Sequence, residues 1–113
     1  MATRFHLSIP DARALDAAGA FAFRARGAEG LAGELQDALR EETLFQRWRA
    51  TLDDPDAVDP ALGATDPAAT VRGEQSDLHV DLVATTVLTG AVLKHRLRLL
   101  AGGGWQLRDV TAA

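Results

Sequence analysis

The most informative absence in this chain of 113 residues is cysteine. Without cysteine there is no disulfide framework and no thiolate zinc site. The three histidines are scattered along the chain and do not form a ligand cluster. We therefore expect no metal and no cofactor, and the lack of cysteine fits a cytoplasmic protein.

Long apolar segments are also missing. No run approaches the roughly 20 apolar residues that are needed to span a bilayer. The first six residues, Met-Ala-Thr-Arg-Phe-His, lack the long apolar core of a signal peptide. We expect no membrane partner and a cytoplasmic location.

The chain has no excess of positive charge. Its net charge is −4, and residues 34–67 alone carry nine acidic and three basic side chains. Nucleic-acid-binding proteins usually have a dominant basic surface, so we do not expect a nucleic-acid partner. The basic residues are almost all arginine, which is typical of a GC-rich bacterial genome.

The length predicts a single domain. In the N-terminal part of the chain, apolar and polar residues alternate. Phe5, Leu7 and Ile9 alternate with polar neighbours, which is the period of a half-buried strand. A second short strand is predicted at residues 21–25 by the alternation of Phe21 and Phe23. Between these two strands, residues 10–18 fit either a short helix or a loop.

From Ala28 the apolar period becomes helical and predicts one principal helix over residues 28–52. Glu42 falls near the middle of its apolar arc, where a carboxylate needs a partner or access to water. Thr43 followed by Gln46 reads as a capping box, so a new helix that starts there would leave Glu42 at an exposed corner. The apolar arc consists of Leu31, Leu35, Ala38, Leu39, Phe45, Trp48 and Leu52.

Residues 53–67 predict an acidic loop, because three Asp-Pro steps interrupt any helix or strand. The four aspartates at positions 53, 54, 56 and 59 suggest calcium, but their spacing departs from the helix-loop-helix calcium pattern. We expect no metal here. A mobile lid and a solvated connector are the two readings that remain.

The C-terminal half predicts a curved antiparallel meander of four strands. The first strand covers residues 70–75, with Ala69 and Val71 pointing inward. Residues 78–110 then fold into three strands that turn at residues 89–90 and at residues 101–103. This register points Val80, Leu82 and Ala84 inward and places Leu97 opposite Leu82.

The same register places four cations on the solvated face of the meander. These side chains form a candidate surface for a protein partner or for another copy of the chain, and the alternative is an ordinary solvated face. The four residues are Lys94, Arg96, Arg98 and Arg108.

The inward face carries a second candidate site, in which His95 lies opposite Asp109. Histidine beside a carboxylate is a plausible general acid or base, and Glu42 joins the pair if the helix crosses the meander. Trp105 and Phe45 would then form the walls of the pocket. The alternative is a core histidine that is hydrogen-bonded to the aspartate.

Residues 91–110, AVLKHRLRLLAGGGWQLRDV, resemble the last hairpin of nuclear-transport-factor-like proteins. The resemblance implies a cystatin-like α+β roll with a cone-shaped cavity. Members of that superfamily include isomerases, dehydratases and non-catalytic binding modules.

These patterns together predict an α+β fold in which one principal helix packs on the meander and short N-terminal strands extend it. We expect a small soluble binding or accessory protein, oligomeric, that engages a protein partner or itself through the sheet face. The alternative is a small-molecule-binding protein or an isomerase- or dehydratase-like enzyme with a pocket between helix and sheet.

Overall fold

The computed structural model describes the backbone of residues 1–113 and the side chains of residues 1–15 and 19–113. Short 3-10 helices lie at Ala12–Ala18, Pro55–Ala57 and Pro60–Gly63. The other elements, in chain order, are β1 (Thr3–Ile9), α1 (Ala28–Arg40), α2 (Thr43–Arg49), β2 (Thr70–Ser76), β3 (His79–Thr86), α3 (Gly90–Ala101) and β4 (Gln106–Ala112).

The four strands form one sheet in the order β2-β3-β1-β4, and all neighbours are antiparallel. With α1 and α3 as the two crossovers, this is the β-α-β-β-α-β arrangement of two split βαβ units. The expected α+β class, a helix packed on an antiparallel sheet, is confirmed.

The core lies between the helices and one face of the sheet, because the strands alternate as the sequence predicted. Phe5, Leu7 and Ile9 of β1 are buried. Leu82 of β3, which pairs with Leu7, is buried as well. Each buried leucine contributes about 2 kcal/mol. The opposite face, which we call the outer face, presents polar side chains such as Arg4.

The helix α1 covers the edge of the sheet at β2. Its residues Leu31, Leu35 and Leu39 recur every four positions and are fully buried. A Cβ at Gly73 of β2 would lie 2.5 Å from the carbonyl oxygen of Ala28, so only glycine allows this approach. The predicted strand at residues 70–75 is confirmed.

The hairpin predicted at residues 89–90 is wrong, because residues 90–101 form α3. Thr89 caps this helix with its hydroxyl, which accepts from the Val92 backbone N–H at 3.4 Å. The helix ends at Gly102, whose φ of 57° suits glycine. Residues 91–110, on which the resemblance was based, therefore fold as a helix, a turn and a strand.

The alternation that suggested a strand is also compatible with a helix. Leu93 and Leu97 are an even number of residues apart and would share one face of a strand. They are also four residues apart, which is about one helical turn. The buried positions of α3 fall in groups of two or three adjacent residues, about one turn apart, which is the pattern of an amphipathic helix. They are Val92, Leu93, His95, Arg96, Leu97, Leu100 and Ala101.

Two further differences concern the N-terminal half. Residues 21–25 are not a strand; instead, the Glu34 carboxylate accepts from the backbone N–H groups of Arg24 and Ala25 at 2.9 and 2.8 Å. The predicted long helix is broken, since α1 ends at Arg40 and α2 begins at Thr43. Glu42 lies at the exposed corner between them, as the capping-box interpretation predicted.

Candidate functional site

Arg96 does not belong to a surface patch, since its side chain is fully buried. Its guanidinium donates to the carbonyl oxygens of Ala38 at 3.1 Å and Ala64 at 2.9 Å, and also to that of Leu62. It lies 5.3 Å from the centre of the Phe45 ring. Burial lowers the pKa of Arg96. Arg96 therefore connects the end of α1 to residues 53–67, which we call the acidic segment, and is unavailable to a partner.

The other three cations do not share one face of the sheet. Lys94 is half-buried and Arg98 is exposed, both on α3. Arg108 is exposed on β4, where it donates to Gln106 Oε1 at 2.9 Å. The placement predicted for these cations is wrong because it depended on a strand at residues 91–99.

The three proposed acid–base residues are not brought together either. His95 is buried on α3, with 9% of its surface exposed. Asp109 is exposed on β4, where its backbone lies opposite that of His6 in the register with β1. Glu42 is exposed at the start of α2. This arrangement gives no support to proton transfer between the three side chains.

His95 lies against two aromatic rings of α2. Its ring centre is 4.5 Å from that of Trp48 and 5.9 Å from that of Phe45. Its Nδ1 atom is buried and has no hydrogen-bond partner among the residues that the structure describes. Burial lowers the pKa of His95, and the neighbouring charges of Arg96 and Arg98 lower it further. The structure thus favours the neutral form of this imidazole.

The stability of the protein should fall as the pH drops below the ordinary histidine pKa of 6.5. The unfolded chain binds a proton there, whereas folded His95 binds it only at lower pH, so protonation favours the unfolded state throughout that window. Urea unfolding at about pH 5 and about pH 8 measures the effect. His95→Phe should reduce this pH dependence, while the control His6→Gln should retain it. If the free energy of unfolding changed equally between the two pH values in His95→Phe and in the wild type, the prediction would be contradicted.

The two predicted pocket walls do not face a common cavity. Phe45 is buried against α3. The indole N–H of Trp105 donates to the carbonyl oxygen of Gly102 at 3.0 Å. Trp105 lines a small cleft of about 140 Å³ together with Pro10 and Ala14. The two aromatic residues therefore serve different parts of the fold.

Larger surface clefts lie along α1. Two adjoining clefts of about 200 and 220 Å³ share Leu44 and Arg47 as lining residues. A third, of about 460 Å³, lies between α1 and β2. The lining residues of these clefts do not include His95, Asp109 or Glu42. The clefts give no support to the acid–base interpretation.

The outer face brings together a serine, a histidine and an aspartate that no sequence motif connects. His79 Nε2 lies 3.2 Å from Ser8 Oγ and 2.7 Å from Asp81 Oδ1. A catalytic triad needs the two contacts on different ring nitrogens, so that one binds the nucleophile and the other the carboxylate. Here both contacts use one nitrogen. The cluster therefore lacks the geometry of a nucleophilic site.

Within residues 1–15 and 19–113, no group of three or more histidine, aspartate or glutamate side chains is placed to hold a metal ion. Among the residues that the structure describes, none of the helices has both the length and the apolar character to cross a membrane.

The two edges of the sheet differ in how they are covered. At the β2 edge, Gln36 of α1 accepts from the Val71 backbone N–H through Oε1 at 3.0 Å. Gln75 of β2 accepts from the Ala28 N–H through its own Oε1, also at 3.0 Å. Proteins commonly protect an edge strand by covering it with a helix. The edge at β2 is protected in this way.

The β4 edge is open to solvent. Six of the seven residues of β4 are exposed, and Thr111 is half-buried. Leu107 and Val110 are apolar and remain 37% and 49% exposed. The Val110 N–H donates at 2.9 Å to the carboxylate of Asp109.

A β-bulge places the two apolar residues of β4 on the same face. Leu107 pairs with Leu7 and Val110 pairs with Phe5, and the register shifts at Arg108 between them. Both partners on β1 point into the core, so Leu107 and Val110 lie on the helix-covered face. In a regular strand, residues three apart would point to opposite faces. The sequence has no local signal for this bulge.

Comparison of the chain with protein-family models, with curated protein sequences and with solved structures found no match. The fold and its surface therefore define the protein by class: a small α+β domain with a covered sheet edge at β2 and an open one at β4.

Proposed function

We propose that this protein is a non-catalytic binding module that associates with a second copy of itself through β4. The observation that carries the proposal is the open β4 edge, with its two exposed apolar residues, in a sheet whose other edge is covered by a helix. An open edge strand presents unpaired backbone groups that readily pair with another strand.

The composition of β4 favours a second copy over an unrelated partner. Arg108 and Asp109 are adjacent and exposed, so the strand carries one charge of each sign. Most homo-oligomers are symmetric dimers in which one surface contacts the same surface of the other copy. Such a surface must be complementary to itself, and a strand with balanced charges and an apolar pair meets this condition.

Replacing both Leu107 and Val110 with serine should weaken self-association. We expect the dissociation constant to rise at least about tenfold, because each apolar side chain buried at the interface contributes about 1 kcal/mol. Sedimentation velocity over a range of protein concentrations measures the change.

The matched control is Leu78→Ser. Leu78 has the same exposed fraction as Leu107, 37%, but it lies in the turn between β2 and β3. It should leave the dissociation constant unchanged. An equal effect of Leu78→Ser, or a wild-type protein that stays monomeric at every concentration, would contradict the proposal.

A further inference from the structure

We infer that two copies pair their β4 strands antiparallel, with Leu107 of one copy opposite Val110 of the other. This inference rests on the proposed self-association through β4 and specifies its register. The two four-stranded sheets would then form one continuous sheet about a two-fold axis.

The faces of the residues in β4 agree with this register. A two-fold axis perpendicular to the sheet keeps every side chain on its own face, so opposed residues must come from the same face. Leu107 and Val110 both lie on the helix-covered face, whereas Gln106 and Thr111 pair with Ser8 and Arg4 on the outer face. The inferred register opposes Leu107 with Val110 and Gln106 with Thr111.

A shift of one residue breaks this agreement. It would bring Leu107 opposite Asp109 or Thr111, both of which lie on the outer face. Because a slip by one residue mixes the two faces, the register is well specified wherever one face is apolar.

The charges agree with the same register. It places Arg108 of each copy opposite Asp109 of the other, and the symmetry creates this pair twice. Opposite charges directly across two strands stabilise the pairing, and like charges destabilise it. Both side chains are exposed in the single copy, where Arg108 contacts Gln106 and Asp109 contacts the Val110 N–H.

The bulge at Arg108 makes this self-complementarity possible. Without it, Leu107 and Val110 would lie on opposite faces, and no face-preserving two-fold pairing would oppose them. Bulges usually hinder the pairing of an edge strand. Here a matching bulge in each copy keeps the apolar residues of the two strands opposed.

The interface should be weak. A strand of seven residues spans about 23 Å at about 3.3 Å per residue. An edge of that length buries less than the roughly 800 Å² per partner that is typical of stable complexes. We therefore expect a monomer–dimer equilibrium that depends on protein concentration.

Charge reversal at Arg108 and Asp109 tests the register. The variants R108D and D109R each place like charges opposite one another at both symmetric positions. Each should raise the dissociation constant about tenfold or more in sedimentation velocity. The double variant R108D/D109R restores opposite charges and should restore the dimer.

A mixture of the two single variants provides the sharper test. In a mixed dimer, the carboxylates of the R108D chain face the arginines of the D109R chain at both positions. Mixing two weakly associating variants should therefore produce a heterodimer, which a fluorescent label on one chain detects. A variant that failed to associate because it was unfolded would not form a heterodimer on mixing.

Two outcomes would overturn the inference in distinguishable ways. If both single variants dimerise as tightly as the wild type, or if mixing them produces no heterodimer, the register is wrong. Loss of association in the variant with serine at positions 107 and 110 would still support binding through β4. If the wild-type protein is monomeric at every concentration, both the register and the proposed function fail.

Discussion

Replacing Arg96 with methionine should lower the free energy of unfolding by about 3 to 5 kcal/mol. The guanidinium supplies hydrogen bonds to three carbonyl oxygens, those of Ala38, Leu62 and Ala64. Methionine fills a similar volume but donates nothing, so these oxygens would lose their partner. Urea unfolding measures the loss, and hydrogen exchange of residues 62–66 should increase at the same time.

Two variants show whether the loss comes from the hydrogen bonds of Arg96. Arg96→Lys keeps the charge but lacks the planar fork of donors, so it should recover only part of the stability. Arg98→Met alters the exposed arginine on the same helix and should change the stability by less than about 0.5 kcal/mol. A loss below about 1 kcal/mol for Arg96→Met would contradict the role that we assign to Arg96.

Replacing Asp66 with asparagine should lower the free energy of unfolding by about 2 to 4 kcal/mol. Asp66 is buried, with 7% of its surface exposed. It accepts from the Thr86 hydroxyl at 2.8 Å and from the backbone N–H groups of Val87 and Ala68, each at 3.0 Å. Asparagine keeps the shape but presents one acceptor oxygen and an NH₂ group, so at least one of these donors would face another donor. Urea unfolding at neutral pH measures the loss.

The same contacts make part of the stability depend on pH. The hydrogen bond from Thr86 has the largest effect in lowering the pKa of Asp66 below its ordinary value of 3.8, followed by that from Val87. The stability that the ionised form contributes is fully present above the unfolded value and is lost as the pH falls through the lower folded value. Asp66→Asn should remove this contribution to acid unfolding.

Asp54→Asn is the matched control, because Asp54 is an exposed aspartate in the same acidic segment. It should change the stability by less than about 0.5 kcal/mol. If Asp54→Asn and Asp66→Asn have similar effects, the net charge of the segment matters rather than the buried contacts of Asp66.

Arg96 and Asp66 together give the acidic segment a structural role at its C-terminal end. Arg96 holds the backbone at Leu62 and Ala64, and Asp66 joins the segment to the end of β3. The Asp66 N–H also donates to the Leu39 carbonyl oxygen at 2.8 Å, which connects the segment to α1. This end of the acidic segment is therefore part of the packed fold.

Several elements could be predicted because their side-chain period reports directly which face is buried. The alternation around Phe5 and Leu7 identified β1, and the spacing of Leu31 and Leu35 identified α1. Thr43 marked the start of α2, although no side chain caps that helix. Such signals are local, so they can be interpreted without knowledge of the neighbouring elements.

The fold of residues 90–101 depended on a non-local choice. The predicted meander pairs this segment with β3, but β1 occupies that position along its whole length, from Thr3 opposite Thr86 to Ile9 opposite Val80. Residues 90–101 form their backbone hydrogen bonds internally as a helix instead. The apolar period of the segment fits both structures, and strand order selects between them.

The candidate site depended on the tertiary structure for the same reason. Whether a strand lies at an edge follows from the order of all strands, and β4 is at an edge only because β1 lies between it and β3. The bulge at Arg108 and the burial of Arg96 likewise arise from contacts with distant segments. Local periodicity carries information about the faces of single elements, whereas edges, bulges and buried charges are created when those elements pack together.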